Sequence, residues 1–501
     1  NEDLHSEPQE REAGELHLSF PLFIFLESKG VDIAFLITNH RDGLRIFISP
    51  DLQLSLTGRC LLIVLREQGD DDESLVFVLL IERFKRRSLL ATTLSPIGRA
   101  DEQDHLVTVV VQPERLPEFM RRAFTMLRSG RPGPVVLAIP NASAQYDETA
   151  DPYYPVKGWK SAPNPEDVTA AVDLLLKAQN PLIYAGEGVI YANASAELKE
   201  LAELANTPVI TTLKAKGAFP ENHPLFVGVR GDQVNQYLEK CDLVLAVGSS
   251  LSPGRFSHGI PNAVNKTLIH CNVDELHINK AYPTAAALIG DARFALQALT
   301  KELSAKTSGS GRAPGNVAAE VKSARDGAMV KYREAMASDD MPINPYRVYA
   351  GLMEVLDPHN SFVTHESGNT RDQLSTVYDT LIPRGFLGWG NISTLGFSLS
   401  AVVAAKLAHP ERHAVAVTGE AGLGYMMGNL EVPVREKLPV TIVHISNGGF
   451  AGYGPGFWGP GHDPFTHSVL GYDDVDMSKV LGELGLHSER VREPSEVVPA
   501  L

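Results

Sequence analysis

Two spacings of apolar residues alternate along the chain. In 165 to 290, "PEDVTAAVDLLLKAQ" carries its apolar residues at helical spacing, while "PLIYAG", "PVITT", "DLVLAVGSS" and "KTLIHCNVD" are short, nearly continuous apolar runs bounded by Gly, Pro and Asn. Helical stretches alternating with runs of this kind predict βαβ units around a parallel sheet buried on both faces. The pattern returns after residue 340, with "SFVTHESG", "HAVAVTG" and "VTIVHIS" as strands and "GFSLSAVVAAKLAH" and "MMGNLEVPVREK" as helices. Toward the start of the chain, "FLESKGVDIAFLIT" and "FMRRAFTMLRSGRPGPVVLAIP" read as helix-to-strand units.

Two composition shifts divide this pattern into three doubly wound α/β domains with mainly parallel sheets. One is the Pro- and Asp-rich stretch "NASAQYDETADPYYPVKGWKSAPNP" at 141 to 165, and the other is "KTSGSGRAPGN" at 306 to 316, which reads as a flexible linker. The boundaries are 1–145, 165–305, a linker with a lead-in helix at 306–340, and 341–501. A length of 501 residues is too great for one hydrophobic core and suits about three domains of ordinary size.

The formal charge of −16 argues against nucleic acid or an anionic membrane as partner. An anionic ligand therefore needs a local device, such as a metal ion or a helix N-terminus. Three widely spaced cysteines give neither a disulfide framework nor a zinc site. The longest early apolar run, "LSFPLFIFL", is broken by Pro21 and too short to span a bilayer. A soluble protein of the reducing cytoplasm is expected.

The most informative stretch is "AVTGEAGLGYMMGNLEVPVREKLPVTIVHISNGGF", residues 416 to 450. Here two apolar strands flank a helix, and each ends in an oxygen-bearing side chain among glycines. Glu420 and Asn447 stand 27 residues apart in the chain. In an open α/β sheet, ligands bind outside the carboxyl ends of strands, so the two side chains can converge. A carboxylate, an amide oxygen and a backbone carbonyl such as that of Gly449 form a hard donor set for Mg²⁺ or Ca²⁺, with coordination positions left for water and phosphate oxygens. Gly419, Gly422, Gly448 and Gly449 permit close backbone approach to a diphosphate. Read alone, each pair is also compatible with an ordinary turn and cap.

This arrangement resembles the thiamine diphosphate motif, Gly-Asp-Gly to Asn-Asn, of the acetolactate synthase, pyruvate oxidase and 2-oxo acid decarboxylase family. "GRPGPVVLAIP" at 130 to 140, "KAKGAFPENHPLFVGVRG" at 214 to 231 with "CDLVLAVGSSL", and "GWGNISTLGFSLSAVVAAKLAHPERHAVAVTGEAGLGY" at 388 to 425 extend the resemblance over most of the chain. It implies a pyrimidine-binding, a central Rossmann-like and a diphosphate-binding domain. Thiamine diphosphate and Mg²⁺ are the implied cofactors, with Glu420, Asn447 and Gly449 on the metal and Ala421 and Phe450 beside them. Thr394 and Leu395 stand where the family places the residue that bends the cofactor. Glu366, Gly368, Asn369 and Thr370 in "THESGNT" resemble the loop bordering diphosphate and substrate. Glu67 is the implied activating glutamate, although beside Asp70, Asp71, Asp72 and Glu73 it also reads as a solvated loop residue.

The resemblance further implies a homodimer or homotetramer, because the family's cofactor lies between the first domain of one subunit and the last domain of another. A 2-oxo acid or related carbonyl compound is the implied substrate, processed by a lyase or transferase. Some relatives bind FAD in the central domain, but "GSSLSPGRFSHGIP" at 248 to 261 gives no sign of it. Two departures favour an alternative, a non-catalytic scaffold or regulatory protein of the same fold. Glu420 replaces the aspartate, and a Gly-rich segment expected between Glu67 and "SGRPGP" is missing. A nicotinamide-dependent oxidoreductase is poorly supported, since "GEGVIY" lacks the third glycine of a fingerprint and "GPGFWG" holds a proline. The aromatic and Gly/Pro-rich stretch from 450 to 467 reads as a rigid surface loop or a substrate lid, with Tyr453, Phe457, Trp458, His462 and His467 shaping the pocket.

Overall fold

The computed structural model describes residues 22–28, 31–40, 43–48, 106–109, 113–139, 147–149, 152–253, 258–313, 315–388, 394–446 and 475–501, and for 22–48 and 106–109 it describes the backbone. The chain divides into two compact units, Asn1–Ala100 and Asp101–Leu501. In the first, β1 (Leu22–Ser28), β2 (Val31–His40) and β3 (Gly43–Ile48) form an antiparallel sheet. Leu22 lies opposite Ile37, and Phe35 opposite Ile48. This corrects the helix-to-strand reading of 25 to 38, and with it the parallel, doubly wound expectation for this stretch. The segment before Lys29 is too short and too rich in Phe and Ile to hold a helix.

The second unit opens with a βαβ unit, whose helix and second strand are those expected from "FMRRAFTMLRSGRPGPVVLAIP" and whose first strand the sequence reading did not include. The parallel pair β4 (Leu106–Val109) and β5 (Val135–Ala138) is joined through α1 (Leu116–Arg128). Next comes a parallel sheet containing β6 (Pro181–Ala185), β7 (Val209–Thr211), β8 (Phe226–Gly228), β9 (Leu243–Val247), β10 (Thr267–Asn272) and β11 (Ala286–Ile289), in the order β11-β10-β9-β6-β7-β8. Its strands are buried on both faces, as their unbroken apolar runs require. In β6, Ile183 and Ala185 join the core on one face, and Leu182 and Tyr184 the core on the other. Burying a side chain such as Leu182 or Ile183 is worth about 1.5–3 kcal/mol.

The helices begin where local chemistry can satisfy their first N–H groups. Asn164 accepts from the amide of Glu166 at the start of α2 (Pro165–Lys177), where Pro165 has no N–H to leave unpaired. Asn344 and Pro345 repeat the device at α7 (Pro345–Val355), which follows α3 (Ser195–Leu204), α4 (Asp232–Lys240), α5 (Ala292–Lys306) and α6 (Val317–Met336).

Within the stretch after α5, Gly311 and Arg312 are held by specific contacts. Arg312 donates from its backbone N–H to the carbonyl of Leu204 (3.0 Å) and from Nη2 to that of Ala178 (2.7 Å). A Cβ on Gly311 would lie 2.2 Å from the Leu204 oxygen.

The last sheet is parallel, in the order β13-β12-β14-β15: β12 (Ser361–His365), β13 (Phe386–Leu387), β14 (His413–Thr418) and β15 (Val440–His444). Around it lie α8 (Asn369–Val377), α9 (Phe397–Ala408) and α10 (Glu420–Met426). The single helix expected over "MMGNLEVPVREK" is broken into a 3-10 turn, Met427–Leu430, and a short helix, Glu431–Arg435. Gly428 lowers helix propensity there, and Pro433 cannot continue an existing hydrogen-bond ladder.

Candidate functional site

Strand β13 lies on one side of β12, and β14, next in the chain, on the other. The order therefore reverses between β12 and β14, which makes the carboxyl ends of these strands the switch-point crevice where open α/β sheets bind ligands. Two backbone hydrogen bonds carry the ladder into this edge: Glu366 N–H to Val417 O and Ile445 N–H to Thr418 O, each 2.8 Å.

Most predicted site residues that are described converge here. Gly419 caps α10 and Glu420 begins it, half-exposed two residues beyond the end of β14. No described atom lies within 4 Å of a Cβ built on Gly419. On the neighbouring strand, Gly368 takes the left-handed φ of +92° as the cap of α8, with Asn369 beside it and both exposed. Unpaired N–H groups of a helix's first turn attract anions, and this one starts at the crevice. Thr394 and Leu395 precede α9 across the same edge, Thr394 exposed and Leu395 half-buried.

These segments are packed tightly to one another. A Cβ on Gly396, whose φ is +85°, would meet Met426 Cγ at 2.3 Å, so the turn at Leu395 rests on the end of α10. Glu366 is only 1% exposed and points inward. Its Oε1 accepts from Ser367 N–H (2.9 Å), and its Oε2 from Ser398 Oγ–H (2.8 Å) and more weakly from Ser398 N–H (3.4 Å). Burial raises its carboxyl above the usual range, and these donors oppose the rise. Thr370, also buried, donates its hydroxyl to the Glu366 carbonyl (3.1 Å). Ala421 is half-buried, and Gly422 lies against Glu366.

Asn447, Gly449 and Phe450, with the stretch from 450 to 467, lie outside the described residues, as does Glu67. Among the described residues no cluster of three His, Cys, Asp or Glu side chains is placed to hold a metal. The residues present fit a metal-bridged diphosphate: Glu420 offers a half-exposed hard oxygen, Gly419 leaves room, and the start of α8 offers N–H donors.

Sequence reasoning overlooked Ser398 and His444. Ser398 was visible as a hydroxyl on an otherwise apolar helix. His444 ends β15 beside Glu420, with burial holding its imidazole below its ordinary pKa and the Glu420 charge opposing that effect. In the central sheet, Gly186 and Gly188 pack against Gly248, where a Cβ on Gly186 would meet the Gly248 oxygen at 2.4 Å. The glycines of "GEGVIY" thus serve loop-to-loop packing. Cys241 and Cys271 are free and buried, and burial pushes their thiols up to about 11 and about 12. No helix among the described residues is long and apolar enough to cross a membrane.

Fold and site together define an α/β protein of the parallel-sheet class with a crevice suited to a diphosphate. Residues 168–299 match the family model of the thiamine pyrophosphate enzyme central domain, and residues 366–501 that of the C-terminal TPP binding domain. A protein named probable acetolactate synthase large subunit, from Methanocaldococcus jannaschii, is 31% identical over 67% of this chain and 58% of its own length. Glyoxylate carboligase of Escherichia coli O157:H7 is 27% identical over 79% of this chain and 68% of its own. A solved structure of a candidate thiamin diphosphate-dependent enzyme from Mycobacterium smegmatis matches with a TM-score of 0.63 at 23% identity, covering 78% of this chain and 72% of that one, and so shares its fold. The chain spans between 58% and 68% of the length of the two curated relatives. It belongs to the thiamine pyrophosphate enzyme family.

Proposed function

We propose that the protein is a thiamine diphosphate- and Mg²⁺-dependent enzyme that cleaves or forms a carbon-carbon bond next to a carbonyl. Its substrate is a 2-oxo acid or related carbonyl compound, and its reaction that of an acetolactate synthase-like carboligase or a 2-oxo acid decarboxylase. The observation carrying this reading is the meeting of Gly419 and Glu420 with Gly368 and Asn369 at the β12/β14 switch point, in a segment that matches a TPP binding domain.

Thiamine diphosphate, when bound, supplies a nucleophilic carbon and an electron sink. Glu420, Asn447 and the Gly449 carbonyl would hold Mg²⁺. The start of α8 would bind diphosphate oxygens, and Leu395 would support the cofactor's bend. Glu67, from a neighbouring subunit of a homodimer or homotetramer, would hold the proton at N1′ of the aminopyrimidine.

Calorimetric titration of metal-stripped protein with thiamine diphosphate tests this. Binding should require Mg²⁺ and weaken about tenfold or more in Glu420→Ala and Asn447→Ala, the loss anticipated for one charged ligand. No binding by the folded native protein would sink the proposal and favour the scaffold alternative. A panel of 2-oxo acids, scored for CO₂ release and ligation products, then separates decarboxylase from carboligase.

A further inference from the structure

All hydrogen-bonding groups of residue 366 are engaged within the protein. Its N–H bonds Val417, its carbonyl accepts from Thr370, and its two carboxylate oxygens accept from Ser367 and Ser398. A buried carboxylate is costly unless it is fully hydrogen-bonded, and a leucine would fill the same space without that demand. What the carboxylate adds is direction. Charge-assisted hydrogen bonds set distances between their partners more narrowly than apolar contact does. Here the partners are the loop after β12 and the first turn of α9, and the side chain also packs on Gly422 of α10.

We propose that Glu366 is a positioning residue, whose carboxylate, bonded to Ser398 and Ser367, fixes the first turn of α9 against the loop 366–370 and so sets the width of the cofactor crevice. This rests on the cofactor reading given above. Glu366 itself stays inside the protein and acts through Leu395, which lies three residues before Ser398, and through Gly368 and Asn369.

Glu366→Gln keeps the shape but replaces one acceptor oxygen with a donor, while Ser398→Ala removes one hydroxyl and Ser398→Thr retains it. Two readouts are taken for each variant. One is the Kd for thiamine diphosphate with Mg²⁺. The other is hydrogen-deuterium exchange of the cofactor-free protein in segments 394–400 and 366–371, with 181–185 and 243–247 as internal controls. Glu366→Gln should weaken binding about tenfold or more and Ser398→Ala severalfold, as expected for charge-assisted bonds. Exchange should rise in the two site segments and stay unchanged in the controls. Ser398→Thr should restore Kd to within about twofold of native, and the double variant Glu366→Gln/Ser398→Ala should be little worse than Glu366→Gln, because the two share one bond.

Native binding with all variants within about twofold overturns the positioning role while leaving the cofactor reading intact. So does faster exchange without a change in Kd, which would mark a purely structural tie. A native protein that binds no thiamine diphosphate overturns the cofactor reading, and the proposal with it.

Discussion

A Cβ added to Gly422 would stand 2.3 Å from Cγ of Glu366, 2.5 Å from its Cδ and 2.6 Å from its Oε2. Glycine to alanine within a helix ordinarily gains about 1 kcal/mol from propensity. Here the clash outweighs that gain, because the Glu366 side chain is fixed by Ser398 and Ser367 and cannot swing away. Gly422→Ala should destabilise the protein by about 1–3 kcal/mol, the usual cost of overpacking. Glu366→Ala/Gly422→Ala should cost less than the two single changes added, since the first removes the atoms that the second strikes. Denaturant midpoints of the four proteins check this, and strict additivity would refute it.

His365, fully buried at the end of β12, has its imidazole held down to about 4 from an ordinary 6.5, chiefly by loss of hydration. The unfolded chain takes up this proton near pH 6.5, whereas the folded one resists it until about pH 4. Its contribution is therefore complete above pH 6.5 and is lost progressively as pH falls toward 4, by up to about 3 kcal/mol. The Tm of the native protein should drop more steeply across that window than that of His365→Asn. Parallel curves would assign the acid lability elsewhere.

Lys216 and Glu221 form an ion pair with side chains 2% and 1% exposed, and Glu221 also accepts from Thr380 N–H at 2.9 Å. Burial pushes the Glu221 carboxyl up, and the Lys216 charge opposes it. Lys216→Met should cost about 3–5 kcal/mol, because it strands a carboxylate in the interior. Lys216→Met/Glu221→Leu should recover most of that loss. If the double variant is as unstable as the single, unpaired charge is not the cause.

The Arg312 guanidinium holds the 306–316 stretch to the Ala178 carbonyl. Arg312→Ala should make this stretch the first site of cleavage in limited proteolysis, with the stability of the flanking sheets nearly unchanged. Cleavage at the native rate would show that Gly311 packing alone holds it.

Strands β6, β9, β12 and β14 were legible in the chain because they are buried along nearly their whole length, where continuous apolar runs between Gly, Pro and Asn have few alternatives. Helix starts such as Asn164-Pro165 were legible because capping is local chemistry. The segment 25 to 38 misled because a short apolar run carries no length cue to separate helix from strand, and pairing across the sheet decides it. Apolar spacing over "MMGNLEVPVREK" spans the break between its 3-10 turn and its short helix, so the local pattern shows one helix.

The sequence by itself determined that Glu420 follows one buried strand and that "THESGNT" lies at the end of another, since both facts depend only on local pattern; that a helix starts at Glu420 itself came from the structure. Which strands are neighbours was settled by the tertiary structure, where pairing of β12 with β14 brings the two loops to one crevice. It also decided which way each polar side chain faces. Glu366 and Thr370 look like ligand-binding residues in the chain, yet they turn inward to Ser398 and to the backbone. A buried polar group must find its partners wherever packing puts them, and those partners lie far away in sequence.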